Sequence, residues 1–442
     1  MKRKQNIRWN TMKILVIGFL SVIVLGAVLL WLPVSNEKPI SFLDALFTST
    51  TSVCVTGLVT VVPKYQFTIM GKIILLILIQ IGGLGIIACI TAFFMLLKRK
   101  ITVKERIVIQ EAYNMNSLGG LVGMVRRILF GTVVVEGIGA VFYAIQFSRD
   151  YGLVKGIWYG VFHSVSAFCN AGFDILGTTK NTFPSLLQYA GNALVNVVIM
   201  LLIIIGGIGF LTWEDVCTNT YHFRRYRLQS KIVLVTTAVL ILLPSLFFFF
   251  WNFKNLAMEE RLLASFFQAV TPRTAGFNTV DIGKMAEPAQ TLIIILMLIG
   301  GSPSSTAGGM KTTTIAVLLL NAFATFRSKD TVSAFHRRID NHVIRDAATL
   351  LMLYVMLFFG GGIAISMYEG LPLAECLYET ASAVGTVGLT LGITPHLHMA
   401  SQLILIVLMY LGRVGGLTLI YAVFSSRNKS KAKFPVEQIT VG

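Results

Sequence analysis

The sequence predicts an all-α polytopic membrane protein built of four pseudo-repeats, each a helix, a pore loop and a second helix, around one central pore. Three observations predict this fold. The first is composition: 55% of the 442 residues are hydrophobic, only 13% are charged, and mean hydropathy is +0.76. A soluble domain carries about 25% charged residues. The second is the recurrence of apolar runs that reach the roughly 20 residues a spanning helix needs. The third is a twelve-residue segment that occurs four times: FTSTTSVCVTGL (Phe47 to Leu58), FHSVSAFCNAGF (Phe162 to Phe173), FFQAVTPRTAGF (Phe266 to Phe277) and YETASAVGTVGL (Tyr378 to Leu389). Each begins with an aromatic residue and reaches a glycine ten positions later, at Gly57, Gly172, Gly276 and Gly388, followed by Leu or Phe. A period this long and regular implies four copies of one structural unit.

The elements follow in order. First helices are expected near Thr11 to Val34, Val125 to Phe147, Lys231 to Phe253 and Arg345 to Met367. Second helices are expected near Phe67 to Leu97, Leu187 to Val216, Ala289 to Phe326 and Ala400 to Ser425. Between them lie short apolar segments near Ser41 to Ser52, Gly156 to Ala167, Arg261 to Thr271 and Pro372 to Ala383. These are too short to cross and read as re-entrant helices. The repeats then occupy 1–97, 98–221, 222–326 and 327–425, with a tail at 426–442. Irregular backbone at membrane depth is tolerated only where it lines a water-filled cavity or is buried in protein. A re-entrant helix followed by a glycine turn therefore implies a lined cavity.

The formal charge of +17 raises the question of nucleic acid. The basic residues, however, fall in short clusters between apolar runs: Lys2 to Arg8, Lys98 to Arg106, Arg224 to Arg227, Arg327 to Arg345, and Arg427 to Lys433. With eight crossings, all of these share one face. That is the positive-inside pattern, and it places both termini in the cytoplasm of a multi-pass cell-membrane protein. The expected environment is the lipid bilayer, with no nucleic-acid partner. The apolar run from Thr11 is too long for a signal h-region and no small-residue cleavage site follows. The five cysteines (Cys54, Cys89, Cys169, Cys217, Cys376) have no paired spacing and read as small packing residues. No Walker A motif, Rossmann fingerprint or His/Cys metal spacing is present, so no enzyme activity and no bound cofactor is expected. The six histidines are scattered, with His396 and His398 in an outer loop.

A cation leaving water loses solvation that must be replaced, and rings of backbone carbonyls do this in potassium-selective filters. A turn with its carbonyls aimed inward needs unusual dihedrals, which glycine supplies without steric cost. Four such glycines in register, rather than four incidental helix ends, point to an ion filter.

The four segments, TPRTAGFN and GTVGLT above all, resemble the filter loops of the Trk/Ktr/HKT superfamily of potassium transporters, with the KtrB-type bacterial membrane subunit as the nearest type. The likeness covers essentially the whole chain. It implies one chain folding four non-identical pore loops around one path for potassium, the transported ion, with sodium a second candidate. It implies that carbonyls of Val55, Thr56, Gly57 and Leu58, of Asn170, Ala171, Gly172 and Phe173, of Thr274, Ala275, Gly276 and Phe277, and of Thr386, Val387, Gly388 and Leu389 face the ion. In plant relatives a Ser in place of the first filter glycine goes with sodium selectivity, so four glycines imply potassium. The resemblance also implies a homodimer seated on a cytosolic ring of nucleotide-binding regulatory subunits. The basic loops and the tail FPVEQITVG are the expected contacts.

A second motif sits in the second helices: IGGLGI (Ile81 to Ile86), IGGIGF (Ile205 to Phe210) and GRVGGL (Gly412 to Leu417). In the third repeat it becomes GGSPSSTAGGMKT, that is Gly300, Gly301, Ser302, Pro303, Ser304, Ser305, Thr306, Ala307, Gly308, Gly309, Met310, Lys311 and Thr312. A continuous helix does not accommodate this composition. The expectation is a helix broken by a flexible loop below the filter, acting as a gate; the superfamily has an intramembrane loop at this position. An ordinary kinked helix is the alternative. Arg413 lies within the apolar run of the last helix, where an arginine is costly and faces a cavity or a partner. Contact with the gate loop suits its five donors, as the resemblance also implies, and snorkelling is the alternative. Lys311 either caps the loop or repels cations. Arg273 and Glu379 are candidates for an ion pair bracing the filter, with a Glu379 that raises the local cation concentration as the alternative; Asp44 reads as a helix-start residue, and Glu136 as a packed, hydrogen-bonded side chain. The rival function is a sodium-coupled or alternating-access secondary transporter. Such folds show two inverted halves rather than four repeats of one orientation.

Overall fold

A computed structural model describes residues 11–97, 120–176 and 185–416, with 99, 101, 102, 105, 106, 110 and 437 in addition. The N-terminal basic cluster and nearly all of the tail lie outside the described residues.

Four outer helices run over Thr11–Trp31, Leu121–Tyr151, Leu228–Phe247 and Asn341–Glu369. The third continues through a π-helical turn, Phe248–Asn252. All four are long and apolar enough to span a bilayer. Their outward faces carry exposed Leu25, Phe130, Val133, Leu243 and Met356, the pattern of a surface solvated by lipid rather than water. Four pore helices follow, Phe42–Val53, Leu153–Phe168, Met258–Val270 and Leu373–Gly385. The first starts on a side-chain cap, with Ser41 Oγ accepting from the Asp44 N–H at 3.0 Å and donating to the Asp44 carboxylate at 2.6 Å.

Repeats 1 and 2 do not form the continuous second helices expected of them, repeat 3 is broken as expected, and the second helix of repeat 4 is described only as far as residue 416. Each yields an inner helix of 12 to 16 residues: Ile69–Leu84, Ala193–Gly207, Glu287–Leu298 and Met399–Val414. At a rise of about 1.5 Å per residue, none spans the roughly 30 Å apolar core. The chain then bends by 103° into Ile86–Leu96 in repeat 1, and by 97° into Phe210–Asn219 in repeat 2. The cause is one glycine per break in the left-handed region, Gly85 at φ 88° and Gly209 at φ 90°; Gly415 repeats it at φ 90°. The second helices of repeats 1, 2 and 3 are thus broken, and among these the third differs in that residues 299–311 separate its two pieces, the second being Thr312–Phe326.

The repeats close into a ring. Inner helix 1 packs on pore helix 2, inner helix 2 on pore helix 3, inner helix 3 on pore helix 4, and inner helix 4 on pore helix 1. The glycines of the second motif allow the close approach within each repeat. A Cβ on Gly82 would lie 2.2 Å from the Val53 carbonyl oxygen, on Gly206 2.0 Å from that of Phe168, and on Gly412 2.2 Å from that of Val384. The inner helices therefore press backbone to backbone on the ends of the pore helices and fix their depth. All five cysteines are free thiols; Cys217 is exposed rather than packed.

Candidate functional site: a ring of four left-handed turns and the loop beneath it

Each pore helix ends inside its twelve-residue segment, at Val53, Phe168, Val270 and Gly385, and the backbone beyond follows one pattern. The ninth residue is left-handed in every repeat: Val55 (φ 56°), Asn170 (58°), Thr274 (71°) and Thr386 (53°). Two positions on, the glycines are left-handed again: Gly57 (96°), Gly172 (69°), Gly276 (75°) and Gly388 (92°). In repeats 1, 2 and 4 the N–H of the tenth residue bonds the carbonyl of the fifth at 2.8 Å (Thr56 to Thr51, Ala171 to Ser166, Val387 to Ser382). That six-to-one bond with a left-handed residue inside it is a Schellman helix end. In repeat 3 the N–H of Ala275 bonds the Thr271 carbonyl at 3.0 Å instead. A non-glycine residue in the left-handed region costs about 1–2 kcal/mol. Strain of this kind persists where the surroundings over-determine it, and it concentrates at functional sites. Left-handed backbone at the ninth and eleventh positions thus brackets a tenth residue outside that region in every repeat.

The four glycines meet in a closed circle in chain order. A Cβ on Gly57 would lie 2.5 Å from the Ala171 carbonyl oxygen, and on Gly172 2.8 Å from that of Ala275. On Gly276 it would lie 2.3 Å from that of Val387, and on Gly388 2.1 Å from that of Thr56. Neighbouring glycine Cα atoms lie within 2.9–3.2 Å of the same built positions. The residues after the glycines, Leu58, Phe173, Phe277 and Leu389, are buried and anchor the turns in the core.

A hydroxyl supports each turn from behind, in two different ways. Thr51 Oγ1 accepts from the Gly57 N–H at 3.0 Å, and Ser382 Oγ accepts from the Gly388 N–H at 3.0 Å. Ser166 Oγ donates to the Phe173 carbonyl at 2.8 Å, and Thr271 Oγ1 donates to the Phe277 carbonyl at 2.6 Å. Of the sixteen carbonyls expected to face an ion, those of Phe173 and Phe277 are therefore already engaged by a hydroxyl. Arg273 and Glu379 do not pair. The Arg273 guanidinium reaches Thr237 Oγ1 at 3.3 Å, while the Glu379 carboxylate accepts from Thr390 Oγ1 at 2.5 Å, Thr394 Oγ1 at 2.7 Å and the Leu391 N–H at 3.1 Å. Each braces its own repeat.

Beneath the glycine ring lies the 299–311 loop. It is not a slack connector. Its backbone bonds repeat 2 through Ser302 N–H to Gly207 (3.0 Å), Thr306 N–H to Gly206 (3.2 Å) and the Phe210 N–H to Ser304 (2.7 Å), and repeat 4 through Gly309 N–H to Gly412 (3.2 Å). Thr306 Oγ1 also donates to the Phe168 carbonyl at 3.0 Å. Ser302, Thr306, Ala307 and Met310 are buried. The loop reaches the ring itself: a Cβ on Gly308 would lie 2.1 Å from Thr386 Oγ1. Lys311 caps the loop, donating to the carbonyls of Ala307 at 2.8 Å and Gly308 at 3.2 Å. Arg413 donates to the Thr306 carbonyl at 2.5 Å, to that of Gly83 at 3.1 Å and to that of Gly82. It thereby joins repeat 4 to the loop and to the helix break of repeat 1. Below lies a cavity of about 410 Å³, lined by Ser304, Lys311, Tyr354 and Arg413 among others.

Four re-entrant helices with strained turns converging on one axis, and a loop seated under them, define a membrane protein of the pore-loop class. The chain belongs to the TrkH family: the family model described as "Cation transport protein" matches residues 2–431. The chain is 38% identical to the Ktr system potassium uptake protein B of Bacillus subtilis (strain 168), over 99% of this chain and 98% of the relative. It is also 38% identical to the potassium/sodium uptake protein NtpJ of Enterococcus hirae, over 100% of this chain and 99% of that one. The crystal structure of the potassium transporter TrkH from Vibrio parahaemolyticus superposes with a TM-score of 0.75 at 17% identity, covering 96% of this chain and 87% of that one.

Proposed function

We propose that this chain conducts potassium across the cell membrane through the ring of Gly57, Gly172, Gly276 and Gly388, as the pore-forming subunit of a regulated uptake system. The observation that carries the reading is the closed circle of the four glycines, with left-handed residues at two equivalent positions of every repeat. The ring replaces the water a cation sheds with inward carbonyls held at fixed radius. The names of the full-length relatives add potassium as the ion.

The repeats span 1–97, 98–221, 222–326 and 327–425, followed by the tail. The filter comprises the ninth to twelfth positions of each segment, and the gate is residues 300–311 with Arg413. Ions pass when the loop leaves its bonds to repeats 2 and 4. The basic clusters put both termini and the loop's cavity on the cytoplasmic side. There the chain is a homodimer on a cytosolic nucleotide-binding ring; no ligand of its own is needed beyond the transported ion.

The test is uptake of potassium and of sodium in cells lacking their own potassium uptake systems, with wild type and Gly276→Ser, each with and without sodium in the medium. The substitution puts a side chain 2.3 Å from the Val387 carbonyl. The expected result is potassium uptake by the wild type and a lowered preference for potassium over sodium in the variant at equal membrane abundance. An unchanged ratio of the two ions would remove the filter assignment.

A further inference from the structure

Glu136 lies midway along the second outer helix, 9% exposed, and no step of transport described above uses it. It forms no ion pair among the described residues. Its carboxylate accepts from Gln80 Nε2, at 3.1 Å to one oxygen and 3.3 Å to the other. The Cys169 thiol lies 3.9 Å from the first of those oxygens and 3.5 Å from Gln80 Oε1. Cys169 is fully buried and directly precedes Asn170, the left-handed residue of the second turn. Three elements thus meet behind one filter loop: inner helix 1 through Gln80, outer helix 2 through Glu136, and the second turn through Cys169.

Comparison of the repeats shows that this is an addition to the common frame. The third position of the segment bonds the outer-helix backbone in repeats 1, 2 and 4: Ser49 Oγ to the Ile23 carbonyl (2.6 Å), Ser164 Oγ to the Glu136 carbonyl (2.6 Å) and Thr380 Oγ1 to the Phe358 carbonyl (3.2 Å). The outer-helix residues at this station are Ile23, Glu136 and Phe358. Packing alone is met by apolar side chains in two repeats, so the acid in the third is not required by it. An ionisable side chain in the apolar core is expensive to keep, and a buried polar group repays its cost only through its hydrogen bonds.

We propose that Glu136 and Gln80 are positioning residues for ion selection. Together they hold the Cys169 thiol and so fix the left-handed turn at Asn170, which sets how closely the second loop approaches the ion. They touch no ion themselves. This rests on the filter reading, and the experiment separates the two.

Relative uptake of potassium and sodium is measured for Glu136→Gln, Glu136→Leu, Gln80→Leu, Cys169→Ala and, as a control inside the ring, Gly172→Ala. Membrane abundance is read in parallel. Glu136→Leu and Gln80→Leu should lower the preference for potassium by about threefold or more, the scale of one modest hydrogen bond. Cys169→Ala, which removes only the thiol, should shift it in the same direction. Glu136→Gln keeps a carbonyl oxygen for both donors and should restore the wild-type ratio. If Gly172→Ala changes the ratio while Glu136→Leu, Gln80→Leu and Cys169→Ala all leave it unchanged, the positioning role is wrong. A Glu136→Gln variant as impaired as Glu136→Leu would overturn it too, because charge rather than hydrogen bonding would then be needed. If Gly172→Ala itself leaves the ratio unchanged, the filter reading fails first.

Discussion

Repeats 1 and 4 and repeats 2 and 3 build the same turn with opposite wiring. In repeats 1 and 4 the supporting hydroxyl accepts from the glycine N–H. In repeats 2 and 3 it donates to the carbonyl one residue later. The eighth position follows the same division. Cys169 and Arg273 reach side chains of their outer helices, Glu136 and Thr237. The corresponding residues of repeats 1 and 4 are Cys54 and Gly385. Repeats 1 and 4 are neighbours in the ring, as are 2 and 3, so the fourfold frame divides into two unlike halves. In one half the outermost carbonyls, those of Leu58 and Leu389, carry no hydroxyl bond among the described residues. In the other half both are engaged. A filter made by one chain can tune its halves separately, which four identical loops cannot do.

The largest effect is expected where the halves do not differ. Serine at each of the four glycines meets a neighbouring backbone carbonyl, which cannot move as a side-chain tip can, and must also adopt a left-handed conformation costing about 1–2 kcal/mol. The built Cβ distances rank the sites: 2.1 Å at Gly388, 2.3 Å at Gly276, 2.5 Å at Gly57 and 2.8 Å at Gly172. Loss of potassium uptake at matched membrane abundance should follow that order, with Gly388→Ser reduced by more than about tenfold, equivalent to 1.4 kcal/mol. Gly172→Ser as the most damaged of the four would mean that the ring is not the constriction this geometry describes.

The next effect concerns the part that ties the halves together. The loop bonds repeats 2 and 4, and Arg413 extends that tie to repeat 1. Arg413→Ala leaves the carbonyls of Thr306, Gly82 and Gly83 without these donors. A loss of about 1.4 kcal/mol from the closed arrangement alters the open–closed constant tenfold. Maximal potassium uptake should rise several-fold with the potassium-to-sodium ratio unchanged, because the ring lies above the loop. A changed ratio with unchanged maximal uptake would place Arg413 in the filter's support and not in the gate.

What the sequence made legible was whatever repeats or is glycine. The four segments, the left-handed glycines and the seat of Arg413 against the loop all followed from spacing and from the cost of charge at depth. The second left-handed position did not, because Val55, Asn170, Thr274 and Thr386 include no glycine and three of the four are β-branched, the type least expected at positive φ. In repeats 1, 2 and 4 the left-handed residue sits inside a Schellman bond, and in repeat 3 the Ala275 N–H bonds Thr271 instead, so the conformation belongs to the helix end and its packing and not to the residue type. The breaking of the second helices in repeats 1 and 2 was hidden for a related reason. In IGGLGI one glycine packs against a pore helix and another bends the chain, and only the fold tells them apart. Charge alone pairs Arg273 with Glu379. Each side chain instead satisfies partners in its own repeat, because the two segments meet through backbone at the glycines.

The smallest effect separates the two halves directly. Ser382→Ala removes the acceptor of the Gly388 N–H, a group fully enclosed in the ring. An orphaned buried donor costs about 1–3 kcal/mol. Ser166→Ala removes a donor from the Phe173 carbonyl, and under-satisfied carbonyls are tolerated better than unpaired N–H groups because they hold two lone pairs. The first substitution should therefore lower thermal stability of the purified protein more than the second. Selectivity should move the other way round: Ser166→Ala frees a carbonyl at the outer ring and changes the potassium-to-sodium ratio, while Ser382→Ala leaves the Leu389 carbonyl as it was. The measurement is the melting temperature of both variants over a range of potassium concentrations, read beside their uptake ratios. A ligand that binds only the folded ring stabilises it in proportion to the logarithm of its concentration over its dissociation constant. The potassium-dependent part of the shift thus reports the filter, and the potassium-independent part reports the lost hydrogen bond. Equal destabilisation with equal ratios would mean that the direction of the hydroxyl bond carries no consequence, and that the halves differ in wiring but not in what they do to the ion.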